Sequence, residues 1–154
     1  MRTSACALGV LGLALLWSGG LRAVELGTAE QARAMLDRAA AALKADEGAA
    51  LKAFNDEHNK DFRDRDLFVY CFNIGDGKFT AYEQPFLLNN DIRQMKLYNE
   101  PLGQHAYNAA HDTAEGAVVT IEYKYPKPGT KSPVPKETFQ ERVGDQACGV
   151  SYFK

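Results

Sequence analysis

Three histidines are the side chains in this sequence that most invite a metal site: His58, His105 and His111. His105 and His111 are six residues apart, a spacing that places them on different faces of a helix. Neither has a cysteine or carboxylate at the distance along the chain that is typical of zinc sites. The histidines therefore predict no metal site.

Other chemical motifs are also missing from the sequence. Asp61, Asp64 and Asp66 resemble part of a calcium loop, but the residues that follow lack the glycine and the terminal glutamate of such a loop. We interpret them as a solvated charged run. Gly-x-Ser-x-Gly, phosphate-loop and dinucleotide motifs do not occur. We expect neither a cofactor nor an enzymatic activity.

The N-terminus has the pattern of an export signal. Residues 1–23 begin with the charged Arg2, continue through an apolar run from Ala5 to Trp17 and end in Leu21-Arg22-Ala23. The run has about 13 residues, whereas a membrane-spanning helix needs about 20. We expect cleavage after Ala23 and a periplasmic mature protein, with an uncleaved anchor as the alternative.

Two of the three cysteines remain after that cleavage. Cys6 lies inside the leader, which leaves Cys71 and Cys148. In an oxidising compartment this pair could form a disulfide, and the alternative is two small buried side chains. The sequence contains no Cys-x-x-Cys, which excludes thioredoxin-type chemistry and covalent haem attachment.

Length and composition indicate one globular domain, residues 24–154. The chain has 154 residues, of which 45% are hydrophobic and 25% charged. Removing residues 1–23 leaves 16 basic and 20 acidic side chains, a net charge of −4. This balance argues against a nucleic-acid partner.

The first half of the mature chain predicts a helix followed by a hairpin. Thr28 to Gln31 has the spacing of a capping box, and apolar residues follow it at helical spacing until Gly48 interrupts them. A further turn or two is predicted up to Phe54. A solvated connector, an interior strand over 67–74, a turn at 75–78 and a second strand over 79–82 come next.

The second half predicts a connector and three strands. Residues 83–115 are mixed, with a weak helix near 91–97 and a stronger one over 102–111 that follows Pro101. Residues 117–125 alternate between apolar and polar as a strand does. A proline-rich loop over 126–133, a strand over 137–143 and a final strand over 147–153 complete the chain.

This order of elements resembles the single Cache domains, extracytoplasmic relatives of the PAS fold. The residues that carry the resemblance are Phe68 to Phe79 as the first hairpin, Glu122 to Pro128 as the aromatic strand running into a proline loop, Lys136 ahead of Phe139, and Gly149 to Tyr152 as the last strand. The resemblance implies an α+β domain: a long N-terminal helix packed on a five- to six-stranded antiparallel sheet, with a helical connector.

The resemblance also implies a ligand site. Cache ligands lie on one sheet face beneath the connector, and the corresponding positions are Tyr70, Tyr82, Tyr123, Tyr125, Lys136 and Phe139. Aromatic walls, phenol hydroxyls and a lysine suit a small organic anion. The alternative for each tyrosine is ordinary half-buried packing, and for Lys136 a solvated loop. The resemblance further makes the strands of Cys71 and Cys148 neighbours.

Two departures from the family affect the functional expectation. Tyr82-Glu83-Gln84-Pro85 stands where many relatives carry His before Pro, and the chain stops at Lys154, where membrane receptors continue into a transmembrane helix. We expect a periplasmic domain that binds a carboxylate-like ligand and acts with a partner such as a membrane sensor or transporter. A homodimer through the N-terminal helix is a further expectation.

Two other functions are left as alternatives. One is a structural or assembly factor with a filled core and no ligand cavity. The weaker one is a metal- or haem-associated protein or an enzyme accessory.

Overall fold

The computed structural model describes residues 25–154, so the predicted leader lies outside the described residues. The helices are α1 (Ala29–Ala45), α2 (Glu47–Phe54) and α3 (Leu102–Asp112), with 3₁₀ turns at Pro85–Leu87 and Ile92–Gln94. The strands are β1 (Arg63–Asp64), β2 (Leu67–Asn73), β3 (Phe79–Ala81), β4 (Val118–Pro126), β5 (Pro133–Val143) and β6 (Gln146–Phe153).

The predicted capping box starts α1. The Gln31 backbone N–H donates to Thr28 Oγ1 over 3.3 Å, and the Thr28 backbone N–H donates to Gln31 Oε1 over 2.9 Å. The helix breaks at Asp46, two residues before the predicted break at Gly48. Asp46 is extended, with φ −161°, and its Oδ1 accepts from the Ala49 backbone N–H over 3.0 Å. A side chain that caps a new helix therefore decides the position of the break.

The sheet has six strands in the order β1-β2-β6-β5-β4, with β3 paired to β2. Every pairing is antiparallel. The central strand β6 is buried at all eight positions, because it has a strand on each side and a layer on each face. The predicted α+β class and the antiparallel sheet are confirmed.

Strand β5 starts four residues earlier than predicted, at Pro133. Pro133 and Pro135 pair with β4, whereas the pairing of β5 with β6 begins only at Lys136. A proline lacks a backbone N–H, so it is tolerated at a position where no neighbouring strand needs a hydrogen bond from that residue. The proline-rich segment is thus partly strand.

The connector covers one face of the sheet and is less helical than predicted near its start. Only Ile92–Gln94 forms a turn of 3₁₀ helix, where the sequence predicts a helix over 91–97. The N-terminus of α3 packs directly against this turn, since a Cβ on Gly103 would overlap the carbonyl oxygen of Ile92. Close packing between backbones therefore fixes α3 against the 3₁₀ turn of the connector.

The two faces of the sheet carry separate apolar layers. On one face α1 and α2 pack against Val69, Val150 and neighbouring side chains. On the other face α3 and the connector pack against Phe72, Phe79 and Ala147. The second layer is incomplete, and the space that it leaves is described below.

Cys71 and Cys148 face one another across β2 and β6 and form a disulfide in the structure. Both side chains are at most 1% exposed.

No helix within residues 25–154 has the length and apolar character needed to cross a bilayer.

Candidate functional site

A cavity of about 900 Å³ lies between the sheet and the connector. Its floor is the face of β2, β4, β5 and β6 that points away from α1. Its roof is formed by connector residues that include Leu87, Met95, Leu97 and Leu102. Four strands contribute to the floor. The side chains found there are therefore those that point from each strand toward the connector.

The register of the sheet arranges the floor in rows. Lys136 of β5 lies opposite Tyr123 of β4 and Phe153 of β6, and two residues further along Thr138 lies opposite Ile121 and Ser151. All six line the cavity. We call the row of Lys136 the head row and the row of Thr138 the middle row.

Lys136 brings a buried positive charge to the head row. The residue is 8% exposed, and its Nζ lies 4.4 Å from the ring centroid of Phe153 and 5.3 Å from that of Tyr125. Within residues 25–154 its ammonium group forms no ion pair. Burial lowers its pKa, and the more distant charges of Asp66 and Glu83 partly offset that effect. An anion in the cavity would supply the missing partner.

Three hydroxyls continue from the lysine along the floor. Tyr123 donates to Ser151 Oγ over 3.1 Å, and Ser151 Oγ lies 2.6 Å from Thr138 Oγ1. Burial raises the pKa of Tyr123, so its phenol stays a donor at neutral pH. Two hydrogen bonds use two of the three hydroxyl protons, and the third proton is left for another acceptor. The cluster therefore adds a neutral donor beside the lysine.

Tyr70 closes the deep end of the cavity. Its hydroxyl donates to Gln140 Oε1 over 3.0 Å, and Gln140 Nε2 donates to the carbonyl oxygen of Ala106 over 2.8 Å. Burial raises the pKa of Tyr70 well above its usual value. This chain joins β2, β5 and α3, so it fixes the distance between floor and roof.

The ring of Tyr70 lies directly over Gly149. A Cβ at that position would be 2.6 Å from Tyr70 Cε1 and 2.7 Å from its hydroxyl oxygen. The glycine is required here because the tyrosine crosses the neighbouring strand to reach Gln140.

We expect Gly149→Ala to lower the free energy of unfolding by about 1–3 kcal/mol, because the packed ring has to move. Urea denaturation measures the loss. The cost should shrink in a Tyr70→Ala background, where no ring opposes the new methyl group. Gly48→Ala is the matched control, since a Cβ there meets no atom closer than 3.6 Å. An equal cost in both backgrounds would contradict the role given to Tyr70.

Tyr82 lines the cavity from the segment after β3. Its ring meets Phe79 at 4.9 Å and Phe68 at 5.5 Å between centroids, both edge to face. Burial raises the pKa of Tyr82 to about 12. Tyr125 is 43% exposed and lies at the edge of the cavity. Tyr82 thus forms a wall inside the cavity, and Tyr125 forms a wall at its edge.

The rim of the cavity is mostly acidic. Glu25, Asp66 and Glu83 line it, together with Arg65 and the exposed Lys96. The Arg65 guanidinium is already bonded to Asp64 over 2.7 Å and to Glu25 over 3.2 Å. The acidic groups therefore outnumber the cations at the rim.

Five of the six side chains predicted to line the ligand site lie on the cavity wall: Tyr70, Tyr82, Tyr123, Tyr125 and Lys136. The structure corrects the sixth, Phe139. It packs on the α1 side and stacks on Tyr152, with centroids 5.3 Å apart. Side chains alternate along a strand, so residues 136 and 139 of β5 point to opposite faces.

Sequence reasoning missed the hydroxyls of Thr138 and Ser151 and the ring of Phe153. Alternation from Lys136 would have found Thr138. In β6 every position is buried, so its sequence does not alternate between apolar and polar residues. The pattern therefore gives no indication that Ser151 and Phe153 point toward the cavity.

The described part of the chain holds no group of three or more His, Cys, Asp or Glu side chains arranged to bind a metal. The chemistry of the cavity is therefore that of a lysine, hydroxyl groups and aromatic rings.

Comparisons with known proteins give structural matches only. No protein-family model matches the sequence, and no curated protein does. A methyl-accepting chemotaxis protein from Vibrio parahaemolyticus RIMD 2210633 superposes with a TM-score of 0.61 at 14% identity, over 80% of this chain and 86% of that one. A periplasmic sensor domain of a chemotaxis protein gives 0.56 at 20% identity, over 80% and 88%.

A third similar structure is described as the basis for carboxylic acid recognition by a Cache chemosensory domain. It gives a TM-score of 0.55 at 15% identity, over 80% of this chain and 86% of that chain. At these identities the likeness concerns the fold. The chain has the fold of a single Cache-like sensor domain.

Proposed function

We propose that this protein is an extracytoplasmic sensing domain that binds a small organic acid in the cavity, with Lys136 as the contact for the carboxylate. The observation that carries the proposal is that Lys136, a buried residue on the cavity wall, has no ion-pair partner for its ammonium group within residues 25–154. A buried charge without a partner is costly, and a bound carboxylate offsets that cost.

The surroundings of the lysine support an organic rather than an inorganic anion. The aromatic rings of Tyr125 and Phe153 flank its ammonium group, and the hydroxyls of Thr138 and Ser151 follow on the floor. A carboxylate accepts hydrogen bonds from both kinds of donor, while its carbon skeleton packs against the rings. Carboxylic acid recognition by the similar Cache domain agrees with this chemistry.

The proposal includes the compartment and the partner. Export through a leader ending at Ala23 would place the domain in the periplasm, as in the similar periplasmic sensor domain. The occupied domain would then report to a partner protein such as a membrane sensor or transporter. Pairing of α1 with a second copy remains a prediction. An assembly factor with a filled core fits less well, because the structure leaves a large cavity.

A thermal-shift screen of organic acids tests the proposal. Ligand at a hundredfold excess over its Kd should stabilise the domain by about 2.7 kcal/mol, which raises the melting temperature measurably. Each acid is compared with its primary amide, which keeps the shape and removes the charge. Failure of every acid to exceed its own amide would overturn the proposal.

A further inference from the structure

We infer that the cavity selects monocarboxylates with an extended apolar or aromatic tail, in preference to dicarboxylates and to acids of two or three carbons. This inference rests on the proposed function, since it names the class of acid that the same cavity takes. It depends on three features: one buried cation that faces the cavity, a deep end whose wall hydroxyl already donates to Gln140, and the length of the apolar wall.

The first feature is that, within residues 25–154, one buried cation faces the inside of the cavity. Of the cationic residues on its wall, Arg65 is bonded to Asp64 and Glu25, and Lys96 is exposed. Lys136 is the buried one. The acidic side chains at the rim repel a second carboxylate that would point outward. A ligand with one anionic group therefore matches the charges.

The second feature is that the deep end offers a carboxylate few donors, because the Tyr70 hydroxyl there already uses its proton and Gln140 is not among the residues that line the cavity. The Tyr70 hydroxyl donates to Gln140, and the Gln140 amide donates to the carbonyl oxygen of Ala106. A carboxylate pushed to this end would lose its hydration without gaining a donor. An apolar group has no hydrogen bonds to water that it would lose there. The deep end therefore favours the tail of the ligand over a second head.

The third feature is the distance available to that tail. Lys136 and Gln140 are four positions apart along β5, which corresponds to about 13 Å of extended strand. Ile121, Phe79, Ile92, Met95 and Leu102 line the cavity along this length. The volume of about 900 Å³ is large for an acid of two or three carbons, which would leave this wall in contact with water. A longer tail covers it.

Isothermal titration with a homologous series tests the inference. The probes are acetate, butyrate, hexanoate and octanoate, with phenylacetate as an aromatic member. Affinity should rise by about fourfold for each methylene until the chain reaches the deep end, because each buried methylene adds a fixed transfer free energy. Suberate, the eight-carbon diacid, is matched to octanoate and should bind at least tenfold more weakly.

A pair of variants on β4 locates the tail. Ile121→Ala should weaken octanoate binding several-fold more than acetate binding, because Ile121 lines the cavity beyond the head row. Val118→Ala is the matched control on the same strand, since Val118 packs on the α1 face. It should change neither affinity.

The outcomes separate this inference from the proposed function. Equal affinities along the series, or suberate as tight as octanoate, would overturn the selection for a tail and leave organic acid binding standing. Equal effects of the two variants would do the same. Absence of binding by every acid would overturn both.

Discussion

Replacing Lys136 by methionine should abolish most of the affinity for the ligand acid. The substitution keeps most of the length of the side chain and removes a buried cation that faces the cavity, so a bound carboxylate would be left without its countercharge. A loss of about 2–5 kcal/mol is expected, which corresponds to roughly thirtyfold or more in Kd. Isothermal titration of the variant with octanoate or phenylacetate measures it.

The stability of the empty protein gives an independent readout for the same variant. Burial lowers the pKa of Lys136 in the folded state. At pH values between the folded-state pKa and the unfolded-state pKa, Lys136 holds more protons in the unfolded chain than in the folded one. The free energy of unfolding therefore increases as the pH rises through this interval. At neutral pH its charge therefore costs stability, and Lys136→Met should melt no earlier than the wild type.

Lys124→Met is the matched control for this prediction. Lys124 is an exposed lysine of the neighbouring strand β4, so its replacement should leave the ligand affinity unchanged. Undiminished affinity in Lys136→Met would place the carboxylate elsewhere and contradict the proposed site. Early melting together with lost binding would instead show that the lysine supports the fold.

Removal of the cysteine pair should produce the largest loss of stability. Cys71 and Cys148 are 77 residues apart in sequence, and a bond between them closes a long loop in the unfolded chain. On the chain-entropy model such a loop contributes about 4 kcal/mol to the free energy of unfolding. Urea denaturation of Cys71→Ala/Cys148→Ala against the oxidised wild type measures the difference.

The single variants distinguish a disulfide from two buried thiols. If the bond is present in the exported protein, Cys71→Ala alone already loses the loop, and adding Cys148→Ala costs little more. If both thiols are free, neither single variant loses a loop constraint, and each costs only its own packing. Thiol counting on unfolded, unreduced protein taken from the periplasm is the direct check. Two reactive thiols there would refute the bond.

Several features of the fold depend on a few neighbouring residues, and these were predictable from sequence. The capping box at Thr28 and Gln31 starts α1 where the spacing predicts, because both partners lie within one turn. Glycines at 75 and 77 mark the predicted turn between β2 and β3. The alternation of β4 places Ile121, Tyr123 and Tyr125 on one face, and that face lines the cavity.

The candidate site was only partly predictable, and the errors have physical reasons. Resemblance to a family placed Lys136 and Phe139 together, although strand alternation separates residues three apart. The break between α1 and α2 moved to Asp46 because a side-chain cap competed with the expected interruption at Gly48. In each case a local geometric rule outweighed the pattern first used.

The sequence by itself determined most of the elements, their order and the apolar faces of α1 and β4, because hydrogen bonding within a turn and the period of a strand are local properties. Only the tertiary structure decided that Lys136 is buried without an acidic partner, that Ser151 reaches both Thr138 and Tyr123, and that Cys71 faces Cys148. These facts depend on the register between strands and on how closely the connector packs over them. Residues distant in sequence set both, and no short pattern encodes the distances between them.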